Sequence, residues 1–533
     1  MKLTIEGLKE KEAFQKAGIK LPTYEVAEVA KKTKEQPRWV HFGAGNIFRI
    51  FIGGLADQLI ENKEMESGIT CVETFDFDVI DKIYKPFDNL TLGITLNADG
   101  STDKQVLGAL GEALTTREED KERLKEIAVD PKLQMFSFTI TEKGYALKDA
   151  KGEYFPWIRA DIKAGPEKAN SAMGVVCGLL YERFQAGELP LAVVSMDNCS
   201  HNGEILMNAI VTLAKEWVNL GFFAKEFLAY LEDENKISFP WSMIDKITPR
   251  PAESVAKELE ERGFKEMNPL ITSKNTYIAP YVNAEAPQYL VIEDKFPNGR
   301  PKFEKVGVYL TNRETVNKVE RMKVTTCLNP LHTALAVYGC ILGYTLISKE
   351  MADPELKKLV WQIGPVEGMK VVTDPGILSP KEFVKEVIEV RLPNPFMPDA
   401  PQRIATDTSQ KVGIRFGETI KSYVAEYGDA KKLKAIPLAI AGWCRYLLGV
   451  DDNGEVFERS ADPMLEELST QLAGVKFGNP ASYKGQLKPL LSNSTIFGSD
   501  LYKAGIGEKI EELFVAMISE KGAVRKVLKE ELN

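Results

Sequence analysis

The sequence contains few residues of the kinds that bind metal ions. Among 533 residues there are three histidines, His41, His201 and His332, and no two have the i, i+4 spacing that places two imidazoles on one helix face. The six cysteines are scattered and form no Cys-x-x-Cys pair, so the sequence indicates neither a disulfide framework nor a thiolate zinc site. We therefore expect a site without a metal.

A basic surplus and a long apolar run are also missing. The net charge of −9 leaves no excess of lysine and arginine for binding nucleic acid. The longest apolar stretch, IPLAIAGWCRYLLGV from Ile436, is interrupted by Arg445 and is too short to span a bilayer. The first residues, MKLTIEGLKEKEAFQ, carry charges every few positions and lack the apolar core of a signal peptide. These absences predict a cytoplasmic protein whose partners are neither nucleic acid nor membrane.

The chain is too long for one ordinary core, so two large domains are expected. In the first half, β-rich apolar runs alternate with amphipathic helices, as in PRWVHFGAGN followed by IFRIFIGGLADQLIENK. This alternation predicts a doubly wound parallel sheet built from right-handed βαβ units. After about Pro287 the sequence is mostly helical. We predict an α/β dinucleotide-binding domain over residues 1–285 and a mostly α-helical domain over residues 286–533.

The segment HFGAGNIFR follows a predicted strand and opens a helix, which is the context of a dinucleotide-binding turn. Gly43 permits the tight turn, Gly45 lets the backbone approach a pyrophosphate, and the helix N-terminus supplies N–H groups. Phe48 replaces the third glycine of the usual pattern, so a plain glycine-rich turn is the alternative. The cofactor-binding residues predicted in this turn are Gly43, Gly45, Asn46, Ile47, Phe48 and Arg49.

The next predicted strand ends in VETFDFD, which offers Glu73 and Asp76 at about the distance where an acidic residue binds the adenosine ribose. A carboxylate there favours NAD, because it would repel the 2′-phosphate of NADP. We prefer Glu73 for this contact. The alternative is that either carboxylate only caps the following helix.

Two later strand ends also carry polar residues. SFTITEKGY places Thr141 and Glu142 just past a buried run, and VVSMDNCSHNGE does the same with Asn198. Ligands of doubly wound sheets bind at the carboxyl ends of strands, so we predict Thr141 and Glu142 near the cofactor. Ordinary loop and cap chemistry is the alternative for each.

In the second half, VERMKVTTCLNPLHTALAVYG places Lys323, Asn329 and His332 in an otherwise apolar run. Desolvation disfavours the charged form of a buried lysine, which suits Lys323 to accept a proton from a hydroxyl. In one unbroken α-helix the step from Lys323 to His332 is roughly 180°, so the two side chains would point apart. Asn329 is predicted as an N-cap with Pro330 at N1. Alternatively, Asn329 only caps, His332 is an ordinary helix residue and Lys323 reaches solvent.

A Pro-rich passage, RLPNPFMPDAPQRIATDTSQK, brings together several charged and polar residues: Arg391, Asn394, Arg403, Asp407 and Lys411. Arginine and lysine beside a cleft would hold an anionic substrate, with the arginine able to bind a carboxylate through two hydrogen bonds. A solvated charged face is the alternative.

Taken together and in this order, these motifs resemble the polyol-specific long-chain dehydrogenases, the mannitol dehydrogenase and fructuronate reductase family. The matching segments are GAGNIFR, TEKGY, SMDNCSHNG, SMIDKITP, VIEDKFPNGRP, KVTTCLNPLH and RIATDTSQK, which span residues 39 to about 415. The resemblance implies a Rossmann-type N-terminal domain, a mostly helical C-terminal domain, an active site in the cleft between them, NAD as the cofactor and no metal.

The resemblance also implies roles for individual residues. Lys323 would be the general base, with Glu320 relaying its proton outward. Asn198 and Asn329 would form the polar pocket that stabilises the developing alkoxide, and His332 would bind a substrate hydroxyl or the reacting oxygen. The implied substrate-binding residues are Arg403, Lys411 and Asp245.

This chain departs from the family at two positions. It has one residue more between Lys323 and Asn329, so the backbone has to break or bulge between Lys323 and Pro330 if the three residues are to converge. It also has Thr406 where some polyol-oxidising members have a histidine, which implies that the far end of the substrate is held differently.

The resemblance and the cationic passage predict an NAD-dependent oxidoreductase that interconverts D-fructuronate and D-mannonate. A tagaturonate reductase or a neutral-polyol dehydrogenase of the mannitol type is the close alternative. A nucleotide-binding protein without catalysis is the alternative from another class, and the extra residue beside Lys323 is the feature in its favour. The oligomeric state stays open.

Overall fold

The computed structural model describes residues 1–533 and divides them into two compact units. The first unit comprises Met1–Asn97 and Ser101–Asn317, and the second comprises Ala98–Gly100 and Lys318–Asn533. The change in sequence character predicted a domain boundary at residue 285, but the first unit continues to Asn317. It does so because the strand Tyr289–Glu293 pairs with two strands of this unit, Ser242–Asp245 and Tyr309–Thr311.

All fifteen strands belong to the first unit. They are β1 (Ile19–Lys20), β2 (Trp39–Phe42), β3 (Ile69–Glu73), β4 (Thr91–Leu96), β5 (Thr102–Leu107), β6 (Leu110–Thr115), β7 (Met135–Phe138), β8 (Leu191–Ser195), β9 (Ile237–Ser238), β10 (Ser242–Asp245), β11 (Leu270–Ile271), β12 (Tyr277–Ile278), β13 (Tyr281–Glu285), β14 (Tyr289–Glu293) and β15 (Tyr309–Thr311).

Six of these strands form one parallel sheet in the order β6-β3-β2-β7-β8-β9. Numbered along the chain within this sheet, the order is 3-2-1-4-5-6, which is the Rossmann arrangement and confirms the predicted fold of the first half. The order reverses at β2, which has β3 on one side and β7 on the other, so the ligand crevice of such a sheet opens at the carboxyl ends of β2 and β7.

Residues of β2 alternate between two hydrophobic cores, as a sheet covered on both faces requires. Val40 and Phe42 pack into one core and Trp39 into the other. Three smaller sheets complete the unit: β1-β5-β4-β13, β10-β14-β15 and the pair β11-β12.

The helices that lie wholly in the first unit are interspersed among its strands. They are α1 (Lys11–Lys16), α2 (Val26–Glu35), α3 (Gly53–Glu61), α4 (Lys121–Ala128), α5 (Thr141–Tyr145), α6 (Pro156–Ala164), α7 (Ala172–Gln185), α8 (Asn202–Asn219), α9 (Glu226–Glu232) and α10 (Glu253–Glu261).

The second unit is helical, as predicted. After α11 (Arg313–Met322), in which the division between the units falls, it contains α12 (Asn329–Leu342), α13 (Ile347–Glu350), α14 (Pro354–Trp361), α15 (Pro380–Glu386), α16 (Pro401–Ile404), α17 (Glu418–Tyr427), α18 (Ala435–Tyr446), α19 (Leu465–Leu472), α20 (Lys488–Leu491), α21 (Ser494–Phe497), α22 (Gly507–Met517) and α23 (Ala523–Leu532).

Helix α18 comes from the longest apolar run and is buried along its whole length, against α12. Tyr338 of α12 donates a hydrogen bond to the carbonyl of Leu438 at 2.7 Å. None of the helices is long and apolar enough to cross a membrane.

Tighter and wider helical turns interrupt the α-helices of both units. The 3₁₀ turns are Gly7–Lys9, Lys85–Phe87, Glu118–Asp120, Pro166–Lys168, Phe303–Val306, Gly368–Val371, Thr408–Gln410 and Pro480–Ser482. The π-helical turns, in which the hydrogen bond spans five residues, are Phe48–Ile52, Ile80–Tyr84, Lys323–Cys327, Gln362–Glu367, Val387–Arg391 and Gly413–Gly417.

One buried acid in the second unit lacks any hydrogen-bond partner. Glu350, the last residue of α13, is fully buried with both carboxyl oxygens unpartnered, and a Cβ added at Gly339 of α12 would overlap its Oε1. Burial raises the pKa of Glu350 to about 10, with Asp353 and Asp399 adding to the shift. The folded chain therefore holds a proton at Glu350 that the unfolded chain releases above its ordinary carboxyl pKa.

We predict that Glu350→Gln stabilises the fold more at pH 8 than at pH 5. Because the folded pKa of Glu350 is raised, the wild type loses stability with rising pH between the two pKa values, at up to about 1.4 kcal/mol per pH unit. The glutamine variant lacks this loss. Urea titrations at pH 5 and pH 8 measure the difference in free energy of unfolding, and a difference that does not change with pH contradicts the prediction.

Candidate active site

The glycine-rich turn after β2 leaves open space for a ligand. Gly43 has φ +104°, and a Cβ added there would overlap the carbonyl oxygen of Thr139, so this position requires glycine. A Cβ added at Gly45 would meet no protein atom within 4 Å. The first helical hydrogen bond runs from the Arg49 N–H to the Gly45 carbonyl at 3.1 Å, so the helix N-terminus opens directly at this space.

The residues of this turn fit the pyrophosphate of NAD. The space beside Gly45 is free of protein atoms, and the N–H groups of a helix N-terminus favour an anion. Beside it, the Oδ1 of Asn46 is buried without a hydrogen-bond partner, so it can accept one from a cofactor hydroxyl or amide. Ile47, which follows, is only partly buried.

The side chains of Phe48 and Arg49 pack inside the protein, and the role of these two residues in cofactor binding stays a prediction. The Phe48 ring stacks on His41 of β2 with ring centroids 4.0 Å apart, and both are fully buried. The guanidinium of Arg49 donates to the carbonyls of Ala279 at 2.8 Å and Pro280 at 3.1 Å, and burial lowers the pKa of Arg49 to about 10. Phe48 thus joins helix to strand by ring stacking where the usual motif has a small glycine.

Glu73, at the end of β3, is held against the glycine-rich turn. Its Oε2 accepts from the Ala44 N–H at 2.9 Å, and its Oε1 accepts from the N–H groups of Thr74 and Phe75 at 2.9 Å and of Asp76 at 3.2 Å. Burial raises the pKa of Glu73, while these backbone donors oppose the shift. The carboxylate therefore caps its own loop and fixes the cofactor turn, and its contact with a ribose stays a prediction.

Asp76 is the second acid predicted for the ribose. Its Oδ2 accepts from the Thr272 hydroxyl at 2.6 Å, and its Oδ1 is buried without a partner. An unpartnered buried acceptor suits a ligand hydroxyl, so Asp76 keeps its predicted place beside Glu73.

Asp197 joins the ends of β7 and β8. Its carboxylate accepts from the N–H groups of Ile140 at 2.8 Å and Thr141 at 3.0 Å and from the Tyr145 hydroxyl at 2.6 Å. Thr141 has φ +64°, a strained conformation for a β-branched residue that the bonds to Asp197 hold in place. The predicted residues Thr141 and Glu142 are exposed at this strand end, and Asn198 is exposed directly after Asp197.

In the second unit, the predicted backbone bulge between Lys323 and Pro330 is confirmed. Lys323–Cys327 forms a π-helical turn, closed by a hydrogen bond from the Leu328 N–H to the Lys323 carbonyl at 3.1 Å. This turn accommodates one residue more than an α-helix would. Leu328, at φ −130° and ψ −62°, then breaks the helix, so Lys323 and His332 do not belong to one unbroken α-helix that would point them apart. Lys323 is 3% exposed at the start of this turn.

Asn329 does not cap α12 as predicted. Leu328, with φ −130° and ψ −62°, precedes the helix, and Asn329 is its first residue, followed by Pro330. The π-helical turn shifts the start of the helix by one residue, so the Asn329 side chain makes no capping bond and lines a cavity instead.

That cavity, of about 160 Å³, is strongly cationic. It is lined by Asn329, His332, Arg403, Ile404, Lys411 and Arg415. The second unit thus brings together four residues predicted for the site, and Arg415 joins them. Arg415 was not among the predicted residues because it lies just beyond the charged passage that ends at Lys411, although its i, i+4 spacing from Lys411 is a signal that the two side chains are neighbours.

Asp399 holds two of the lining residues. His332 Nε2 approaches Asp399 Oδ2 to 2.8 Å without the alignment of a hydrogen bond, and Asp399 also pairs with Arg403. Burial would raise the pKa of Asp399, but His332 and Arg403 outweigh it and hold that pKa below its usual range. Asp399 therefore stays ionised and orients both residues. Asp399 was not among the predicted residues, although Asp399 and Arg403 have the i, i+4 spacing of a helical ion pair.

Two further predicted residues, Glu320 and Asp245, are not among the residues that line this cavity. Glu320 is in α11, three residues before Lys323, and is partly buried. Asp245 is the buried last residue of β10, in the first unit. Their predicted roles stay predictions.

Comparison with known proteins places the whole chain in one group. The family models for the mannitol dehydrogenase Rossmann domain and the mannitol dehydrogenase C-terminal domain match residues 37–305 and 315–518. A D-mannonate oxidoreductase from Thermotoga maritima is 53% identical over 535 residues, 99% of each chain. A mannitol 2-dehydrogenase from Aspergillus fumigatus is 30% identical over 512 residues, 94% of this chain and 93% of that one.

Two solved structures are similar over nearly the full length. The substrate-free D-sorbitol dehydrogenase has a TM-score of 0.79 at 26% identity and covers 96% of this chain and 98% of its own. The Pseudomonas fluorescens mannitol 2-dehydrogenase, in a ternary complex with NAD and D-mannitol, has a TM-score of 0.70 at 25% identity and covers 99% of each chain.

We predict that Gly45→Val weakens NADH binding by about tenfold or more while leaving the melting temperature unchanged. The added side chain would fill space that only a ligand uses, so the fold should not respond. Fluorescence titration with NADH and thermal unfolding measure the two effects.

Gly43→Ala is the matched control, because its Cβ would overlap the Thr139 carbonyl and should lower the melting temperature. Unchanged NADH affinity in Gly45→Val contradicts the assignment of this space to the cofactor.

Proposed function

Because the chain belongs to the mannitol dehydrogenase family, we propose that it is an NAD-dependent oxidoreductase that interconverts D-fructuronate and D-mannonate. The observation that carries the choice of substrate is the cationic cavity of the second unit, which holds three basic side chains and only one ion pair among them. The similarity of the whole chain to a D-mannonate oxidoreductase supports the same choice of substrate.

The reaction needs a hydride and a proton. When bound, the cofactor would supply the hydride to the secondary carbon as NADH or accept it from that carbon as NAD⁺. The oxygen on that carbon must gain a proton during reduction and lose it during oxidation, and Lys323 is the residue we assign to this transfer. It is buried at the start of the π-helical turn that precedes the helix carrying Asn329 and His332. General acid–base catalysis of this kind contributes about 10²–10⁴-fold to a rate.

Asn329 and His332 lie one turn apart at the start of α12 and both line the cavity. We assign Asn329 to hydrogen-bonding the reacting oxygen, where an amide N–H stabilises developing negative charge. We assign His332 to a substrate hydroxyl, with Asp399 fixing the ring. Glu320, one turn before Lys323, is the proposed route by which the lysine exchanges its proton with solvent.

The cations suit a sugar acid better than a neutral polyol. D-Fructuronate carries a ketone near one end and a carboxylate at the other, so its far end needs a positively charged partner. A neutral polyol would leave the positive charges of the cavity without an anion, which costs free energy when they are partly buried. Tagaturonate carries the same charge with different stereochemistry and is the second candidate.

The extra residue beside Lys323 does not argue for a protein without catalysis. The π-helical turn accommodates that residue between Lys323 and α12, so the insertion is compatible with a catalytic role for Lys323. A cytoplasmic location, where soluble NAD is available, is part of the same proposal.

We predict that purified protein oxidises NADH in the presence of D-fructuronate with a kcat/KM at least about 100-fold above that for D-fructose. The missing carboxylate of fructose explains the difference. Absorbance at the NADH band follows both reactions, and D-tagaturonate in a third assay tests the stereochemical alternative. Turnover of fructose alone contradicts the sugar-acid proposal, and NADH binding without turnover of any of the three indicates a protein without this catalysis.

A further inference from the structure

We propose that Arg415 binds the substrate carboxylate and sets the preference for sugar acids, with Thr333 as its positioning residue. This inference rests on the proposed function, since it names the group that distinguishes an acid from a neutral sugar. It concerns a residue that sequence analysis did not single out.

Arg415 is a partly buried cation without an anion. Its guanidinium donates through Nη1 to the Thr333 hydroxyl at 2.5 Å, and no carboxylate pairs with it. Burial lowers the pKa of Arg415 to about 10, which still leaves it charged at neutral pH. Burying an unpaired charge costs free energy, so this arrangement favours an anionic ligand that enters the cavity Arg415 lines.

The other two basic side chains of the cavity are less suited to this role. Arg403 is already paired with Asp399, and its side chain is 68% exposed. Lys411 donates from Nζ to the Thr406 carbonyl at 2.5 Å, and burial together with the charge of Arg415 lowers the pKa of Lys411. A carboxylate on Arg415 would relieve this repulsion, so Lys411 would assist the contact that Arg415 makes.

The backbone holds Arg415 rigidly. It lies in the π-helical turn Gly413–Gly417, and Cβ atoms added at either glycine would overlap backbone atoms of Ile496 or Phe497. Phe416, beside it, is fully buried. A side chain on such a fixed turn loses little freedom when it binds a ligand, and this strengthens binding.

Thr333 fixes the direction of the guanidinium. Its buried hydroxyl donates to the Asn329 carbonyl at 2.9 Å and accepts from Arg415 Nη1. Of the five N–H donors of arginine, one is thus used and the others remain for a two-bond contact with a carboxylate. The same hydroxyl ties Arg415 to the first turn of α12, which carries Asn329 and His332, so the carboxylate would be held at a set distance from them.

The test is a comparison of KM values for D-fructuronate and D-fructose. Arg415→Met should raise the KM for fructuronate by about 10- to 100-fold, because it removes a charge-assisted contact, and should lower kcat less. The KM for fructose and the affinity for NADH should not change. Arg415→Lys should restore part of the loss, since it keeps the charge but not the two-bond geometry. Arg159→Met, at an exposed arginine of α6, is the matched control and should leave all values unchanged.

The positioning role of Thr333 has its own pair of variants. Thr333→Val should raise the KM for fructuronate and leave that for fructose unchanged, whereas Thr333→Ser, which keeps the hydroxyl, should restore the wild-type value. This pair also tests the proposal if Arg415→Met fails to fold.

Failure of the proposed function and failure of the inference on Arg415 give different results. A wild type that reduces no sugar acid removes the proposed function itself. A wild type that reduces fructuronate, with variants of Arg415 and Thr333 that keep its KM, overturns only this inference.

Discussion

The π-helical turn Lys323–Cys327 is the constraint on which the candidate catalytic residues depend. It accommodates an extra residue between Lys323 and α12 by widening the helical turn that begins at Lys323. Neighbouring side chains satisfy backbone groups of this stretch: the Thr325 hydroxyl donates to the Arg321 carbonyl at 2.8 Å, and the Thr419 hydroxyl donates to the Thr325 carbonyl at 3.2 Å. The wide turn is therefore supported by one local and one tertiary hydrogen bond, and it carries the lysine to which we assign the proton transfer.

Two other π-helical turns lie at the other places where we assign function. A π-helical turn follows the glycine-rich turn and buries Phe48 and Arg49, and another carries Arg415 into the cationic cavity. Such turns occur often at functional sites, because they direct side chains that a regular helix would point elsewhere. In this protein the π-helical turn that carries Arg415 acts together with the positive charge of the cavity. The cavity keeps partly buried positive charge without enough acid to neutralise it, and this charge gives an acidic substrate its advantage over a neutral one.

Sequence reasoning recovered the features that follow from local pattern. Alternating strands and helices predicted the parallel sheet, and the angle between Lys323 and His332, together with the convergence that the family resemblance implies, predicted a bulge. Predictions from sequence were incomplete or wrong for features that depend on tertiary packing. The burial of Arg49 depends on carbonyls some 230 residues away, at Ala279 and Pro280. The N-cap at Asn329 was wrong because the wide turn moved the helix start. Arg415 was not predicted, because nothing in the local sequence shows that it is partly buried in the fold with no acid to pair with it.

Chemical rescue of a Lys323→Ala variant tests the central claim most directly, namely that Lys323 transfers the proton. The substitution should slow fructuronate reduction by about 10²–10⁴-fold with NADH affinity retained, and ethylamine added to the assay should restore part of the rate in proportion to its concentration. Restoration would show that the lost function is that of an amine at this position. Unchanged turnover, or a loss that no amine restores while NADH still binds, would contradict the assignment of Lys323.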